Sequence, residues 1–141
     1  MIKVVAQNEE TKNLLSFYVS NNIPDLQSFM DCLNYIRYGY PRNWRRIDHT
    51  PISSHPDTNP PRAQMKYIVL RDEKNEHEYM VVFDTSINHD YMELAVSSMQ
   101  DDVFYRPASA GFTDGLTCFG RSETLNLDSR PEEDTKLLQG G

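Results

Sequence analysis

Apolar residues recur with a helical period in one stretch of the chain, which holds the clearest predicted helix. The positions that share one helical face are Leu26, Phe29, Met30, Leu33 and Ile36. Asp25 is a suitable N-cap in front of them, and Gly39 and Pro41 end the pattern. An apolar stripe of this kind is typical of a helix that packs on a core.

Other apolar stretches predict strands rather than helices. The predicted strands are residues 2–6, 65–70, 79–83, 103–106, 108–113 and 116–119. A charged turn at 72–78 makes the second and third of them a β-hairpin. Asp114-Gly115 is a strong signal for a second hairpin between the last two.

Three further segments predict short helices. Residues 9–19 fit a helix, with an extended hairpin partner as the alternative interpretation. Ser86 or Asn88 can cap another helix, whose apolar positions are Met92, Ala95, Val96 and Met99. Pro131 and the three acidic residues after it predict a terminal helix, because acids suit the positive end of the helix dipole.

This order of elements predicts a single α+β domain over residues 1–141, a mainly antiparallel sheet with two or three helices packed on it. A long proline-rich loop is expected at about 40–62, and a C-terminal arm at about 120–141. The loop carries Arg42, Trp44 and Arg46, which can stack on a ligand or a partner. The alternative is a solvated connector with one buried tryptophan.

Composition restricts the function classes. The formal net charge is -7, whereas a protein that binds duplex nucleic acid is usually basic. No apolar run approaches the length of about 18 residues that a membrane span needs, and the start lacks a signal peptide, so we expect a cytoplasmic protein. Cys32 and Cys118 have no CxxC or CxxH partner, so we expect neither a metal site nor a cofactor.

Motifs of common enzymes are missing from the sequence. It contains no GxSxG, no GxxxxGK followed by Ser or Thr and no GxGxxG, and its histidines lack zinc spacing. His89 beside Asp90 is the one acid–base candidate, although a lone histidine at a helix start is more often a cap or a surface residue. We therefore expect a binding protein rather than an enzyme.

Residues 109–130 and their neighbours combine the features of an oxyanion site. Glycines let a ligand approach backbone N–H groups, Ser, Thr and Arg donate to oxyanions, and phenylalanines stack. The predicted helix start near residue 88 adds free N–H groups. The candidate ligand-binding residues are Asn88, His89, Phe104, Arg106, Ser109, Gly111, Phe112, Arg121, Ser122, Thr124 and Arg130. The alternative is an ordinary glycine-rich hairpin with the arginines in ion pairs.

Two stretches resemble small bacteriophage proteins: INHD at 87–90, and the tail from SAGF at 109–112 through CFGRSETLNLDSRPEEDTKLL at 118–138. Size and element order are similar to the phage anti-Thoeris sponge family, whose members bind cyclic ADP-ribose signals, and in some cases cyclic oligonucleotides, without cleaving them. The resemblance implies a homo-oligomer in the bacterial host cell, whose phosphorylated ligand is held by aromatic stacking and arginine contacts.

Three functions follow as hypotheses. The first is a protein that sequesters a nucleotide second messenger, cyclic ADP-ribose or a cyclic oligonucleotide, without cleaving it. The second is an acidic protein that inhibits a host or defence enzyme through surface contact, which the net charge of -7 would suit. The third is a small nucleotide hydrolase that uses His89.

Overall fold

Seven antiparallel strands form the main sheet of the computed structural model, which describes residues 1–8, 10–20, 44–51, 56, 63–90, 92–93 and 105–140. The strands of the main sheet are β1 (Ile2–Asn8), β2 (Leu14–Val19), β3 (Trp44–Pro51), β4 (Met65–Asp72), β5 (Glu78–Phe83), β6 (Tyr105–Thr113) and β7 (Cys118–Phe119). Two further strands are β8 (Arg121–Ser122) and β9 (Leu127–Asp128). The spatial order is β3-β1-β2-β5-β4-β6-β7, and β8 pairs with β9 in a separate ribbon.

The sheet is buried on both faces at its centre. Successive side chains of a strand point to opposite faces, so the unbroken apolar sequences of β4 and β5 contribute side chains to two separate hydrophobic clusters, one on each face of the sheet. Face A carries Ile68 and Phe83, together with Ile87 from the loop after β5. Face B carries Tyr67 and Met80.

Helix α1 (Pro131–Gly140) packs on face B through Leu138, which is 1% exposed. It begins at the proline that the sequence indicates. Among the described residues, α1 is the one helix present from end to end. The predicted fold class, with two or three helices packed on the sheet, is therefore wrong, and the protein is mostly antiparallel sheet. The helix predicted over residues 26–36 lies outside the described residues.

Two predictions near the N-terminus need correction. Within residues 9–19, the predicted helix is wrong, because residues 14–19 form β2, the hairpin partner of β1. Phe17 and Val19 pack on face A and Tyr18 on face B, so the segment lacks the alternation of a surface strand. Within the predicted loop at 40–62, β3 pairs with β1 along its whole length, and Pro56 is the other described residue there before Ala63.

The two predicted hairpins are confirmed, with one change. β4 and β5 pair from Lys66↔Phe83 to Arg71↔Glu78, and β6 turns into β7 through residues 114–117. The two strands predicted at 103–106 and 108–113 are one strand, β6, over its described length. Its register against β4 shifts beside Pro107, which has no N–H to donate to a ladder.

Candidate functional site

A row of side chains crosses face A where β5, β4, β6 and β7 lie side by side. Lys66 of β4 is opposite Phe83 on one neighbouring strand and Phe112 on the other, and Phe112 is opposite Phe119. Residues directly opposite on antiparallel strands point to the same face. The register therefore places one lysine between aromatic side chains that lie far apart in the sequence.

His89 lies over this row. Its ring contacts Phe83 and Phe112 edge-on, with centroid distances of 5.6 and 5.8 Å, and the residue is 3% exposed. Its Nε2 lies 2.9 Å from the carbonyl oxygen of Gly111. A carbonyl only accepts, so Nε2 carries the proton and donates it. Burial lowers the pKa of His89 and outweighs the hydrogen bond to Gly111, which acts to raise it, so the ring is neutral at pH 7.

The loop after β5 brings Asn88 and His89 to this place. The Asp84 carboxylate accepts a hydrogen bond from the Ser86 N–H at 2.8 Å, which shapes the turn. The Asn88 carbonyl accepts from the Met92 N–H at 3.3 Å, so a helical turn starts at Asn88, as the sequence indicates. The Lys66 ammonium donates to the carbonyl of Ile87 at 2.8 Å and ties the loop to β4.

The opposite wall is the β8–β9 ribbon, and two glycines let it approach. A Cβ on Gly111 would lie 2.4 Å from the backbone oxygen of Phe119, so only glycine fits between β6 and β7 there. Gly120 has a φ of +79°, and a Cβ on it would lie 3.1 Å from the Phe112 ring. The chain therefore passes closely over Phe112 as it enters the ribbon.

These elements enclose a half-open cavity of about 490 Å³, within the usual range of ligand pockets. Its lining residues are Lys66, Asn88, His89, Phe112, Gly120, Arg121, Glu123 and Thr124. Five of them are among the candidates named from the sequence, and Gly111 contributes through its bond to His89. Lys66 is a lining residue that is not among the candidates from the sequence, although a single lysine inside the apolar run MKYIVL is a visible signal.

Both cations of the cavity have carboxylates nearby. Arg121 donates to Asn126 Oδ1 at 2.5 Å, and its Nε lies 3.7 Å from carboxylate oxygens of both Glu123 and Asp128. Burial lowers the pKa of Lys66, while the charges of Asp84 and Asp90 oppose that shift. The cavity is therefore mixed in charge rather than strongly positive.

Ser109 and Arg130 belong to a different structure, a buried polar cluster that we call the clasp, formed by Tyr67, Glu78, Ser109, Arg130 and Asp134. Asp134 is 0% exposed, and it accepts from the Tyr67 hydroxyl at 2.5 Å and from Ser109 Oγ at 2.9 Å. The clasp joins helix α1 to face B and to β5.

The guanidinium of Arg130 is fully engaged in the clasp. Its Nη1 and Nη2 meet the two carboxylate oxygens of Glu78 at 3.0 and 3.1 Å, and its Nε and Nη2 meet Asp134 Oδ1 at 3.1 and 3.0 Å. Nη1 also donates to Glu133 at 3.2 Å. These contacts engage all three nitrogens of the guanidinium. The structure therefore places Arg130 in the clasp and not among the residues that line the cavity.

Two more candidates lie away from the cavity lining, and a third is not among the described residues. Arg106 is exposed at the far end of β6, opposite Arg71, with Glu73 at 4.0 Å. Ser122 is buried, and its Oγ accepts from the Leu125 N–H at 3.2 Å, so it holds the turn of the ribbon. Phe104 lies outside the described residues.

A second, shallower cavity of about 420 Å³ lies between β7 and α1, beside Cys118 and Thr135. Burial, together with the charge of Asp134, raises the pKa of the Cys118 thiol to about 12, so the thiol stays protonated. Its backbone N–H donates to Thr135 Oγ1 at 3.0 Å. This region is therefore part of how α1 docks on the sheet.

The described residues place no group of three or more His, Cys, Asp or Glu side chains where a metal ion would fit. None of the helices in the described part of the chain is long and apolar enough to cross a membrane. Comparison of the chain with protein-family models, with curated proteins and with solved structures gave no match in any of the three.

Proposed function

We propose that this protein binds a small phosphorylated ligand of the nucleotide class in the cavity and holds it without cleaving it. The observation that supports this most is the placement of Lys66 and Arg121 beside the half-buried ring of Phe112 in one 490 Å³ cavity. A nucleotide offers a phosphate to such cations and a flat base to such a ring. In a phage-infected cell, tight binding of this kind would sequester a second messenger.

The surroundings of His89 favour binding over hydrolysis. A general base must reach the proton that it removes and have a suitable pKa. The Nε2 proton of His89 is donated to Gly111, and its ring is held between two phenylalanines. This histidine supports the cavity wall, so we assign it no proton transfer.

The first experiment is thermal denaturation of the protein with a panel of cyclic mononucleotides, cyclic dinucleotides, cyclic trinucleotides and ADP-ribose isomers. A ligand that binds only the folded state adds about 2.7 kcal/mol of stability at 100 times its Kd. We expect a rise in Tm with at least one ligand, which mass spectrometry then recovers intact. Cleavage of the ligand would contradict sequestration, and no shift with any ligand would refute nucleotide binding.

Two arginine variants test whether the cavity is the binding site. Arg121→Ala removes a cavity cation, and we expect the Kd to rise about tenfold or more, the usual effect of losing a charged hydrogen bond. Arg106→Ala is the matched control, because that arginine is exposed at the other end of β6. Calorimetric titration of both variants measures the effect. Equal losses, or a loss only with Arg106→Ala, would place the ligand elsewhere.

A further inference from the structure

We infer that the cavity selects a ligand with a single negative charge, a nucleoside cyclic monophosphate rather than a pyrophosphate, and that Glu123 sets this limit. The inference rests on the proposed function and adds a charge class to it. It follows from the balance of charges around the cavity and from the position of one carboxylate.

The charged side chains around the cavity leave only a small positive excess. Among the described residues, the charged side chains that line the cavity are Lys66, Arg121 and Glu123, which sum to +1. Asp84 and Asp90 act on Lys66, and Asp128 lies 3.7 Å from Arg121. A phosphodiester carries one negative charge, which balances the net charge of +1 on the lining side chains. Each further charge on the ligand is repelled by these carboxylates.

The size of the cavity allows such a ligand. A half-open volume of about 490 Å³ has room for one base, one ribose and one phosphate. A single nucleotide unit therefore fits, and the choice between charge classes rests on the charged side chains around it.

Glu123 is placed to act as the charge limit. Its side chain is 88% exposed, lines the cavity and lies 3.7 Å from the Arg121 Nε through Oε1. It thus competes with a ligand for that arginine and repels any second anionic group that approaches. An exposed carboxylate in the turn of a small ribbon can be neutralised without disturbing the core.

A charge series with constant base and sugar tests the inference. The probes are 3′,5′-cyclic AMP, AMP and ADP, and the corresponding guanine series, titrated at pH 7.5, where a terminal phosphate with a pKa of about 6 carries nearly two charges. We expect the cyclic monophosphate of one series to bind most tightly. Tighter binding of AMP, ADP, GMP or GDP than of the cyclic monophosphates would overturn the inference and leave the proposed function standing.

The variant Glu123→Gln tests the assigned residue, and Glu73→Gln is its control in the turn between β4 and β5. We expect Glu123→Gln to lower the Kd for AMP or GMP about twofold to fivefold more than the Kd for the cyclic form, which is the usual effect of one exposed charge pair. Glu73→Gln should leave the ratio unchanged. An equal change for every probe, or the same change in both variants, would refute the role of Glu123.

Discussion

Gly111 shows how much the site depends on the absence of one side chain. Its carbonyl accepts the hydrogen bond of His89, and a Cβ on it would collide with the backbone oxygen of Phe119 at the end of β7. A methyl group there would meet backbone, which cannot turn away as a flexible side chain does. One glycine therefore fixes both the strand spacing and the histidine.

We predict that Gly111→Ala lowers the free energy of unfolding by about 1–3 kcal/mol, as overpacking usually does. The added Cβ would lie 2.4 Å from the Phe119 oxygen, so β7 must shift. Urea denaturation measures the loss. Gly140→Ala is the control, because its Cβ meets nothing within 4 Å and alanine favours a helix. Equal stability of the two variants would contradict this account of Gly111.

At the scale of elements, the clasp determines how the C-terminal helix docks. Asp134 comes one turn after Arg130, and the Arg130 N–H donates to its Oδ2 at 2.9 Å, so the carboxylate also caps the start of α1. The same carboxylate reaches β4 through Tyr67 and β6 through Ser109. One buried acid thus connects a helix to two strands.

We predict that Asp134→Asn destabilises the protein by about 1–3 kcal/mol, because the amide keeps one acceptor oxygen and leaves buried donors of the clasp without a partner, while Arg130 retains Glu78. The change keeps the size of the side chain, so the loss reports on charge and hydrogen bonding. Glu132→Gln, an exposed acid in the same turn, should change stability by less than about 0.5 kcal/mol. Chemical denaturation of both variants is the measurement. Similar values for the two would show that the clasp contributes little.

Local signals explain which elements could be predicted from the sequence. The β4–β5 hairpin has two apolar runs around a charged turn, and α1 has a proline and acids at its start, so both are visible within a few residues. The sequence predicts a helix in place of β2, because a strand that is buried on both faces shows no alternation of apolar and polar residues. Its apolar positions also fit part of a helical stripe. β3 is an edge strand, in which a proline at the end and few aliphatic residues are tolerated.

The candidate site was only half predictable, because its residues meet through strand register. Asn88, Phe112 and Arg121 have types that suit a ligand, and the fold brings them together. Lys66 joins them only because β4 pairs with β5 and β6 in one particular register. Arg106 and Arg130 are close to the other candidates in the sequence but not in the fold. Arg106 lies at the far end of β6, a strand of nine residues, and the chain reverses direction before it reaches Arg130.

At the scale of the whole molecule, stability is linked to pH through two titratable groups of the described residues, the buried His89 and the half-buried Glu78. Burial lowers the pKa of His89 from 6.5. Burial alone would raise the pKa of Glu78, but hydrogen bonds from Arg130 and Arg71 outweigh it and lower the pKa from 4.5. Each group is less easily protonated in the folded state than in the unfolded state. Their contributions are therefore complete above the unfolded pKa and are lost as the pH falls.

We predict that the free energy of unfolding falls in two steps on acidification, the first beginning near pH 6.5 and the second near pH 4.5. One proton gives a slope of up to about 1.4 kcal/mol per pH unit. Denaturation at a series of pH values measures the slopes. His89→Gln should remove the contribution of His89 to the first step, whereas His77→Gln, at an exposed position, should leave it. An unchanged slope in His89→Gln would contradict the assignment.

Neighbouring residues of β4 serve opposite sides of the molecule, since Lys66 lines the cavity and Tyr67 belongs to the clasp. A shift of one position along a strand exchanges its two faces. Loss or gain of a single codon in β4 would therefore send the lysine into the core and the tyrosine into the cavity. Substitutions at Glu123 or Thr124 leave the clasp untouched. Selection can thus alter the chemistry of the cavity through point mutations, while the length of this strand stays under constraint.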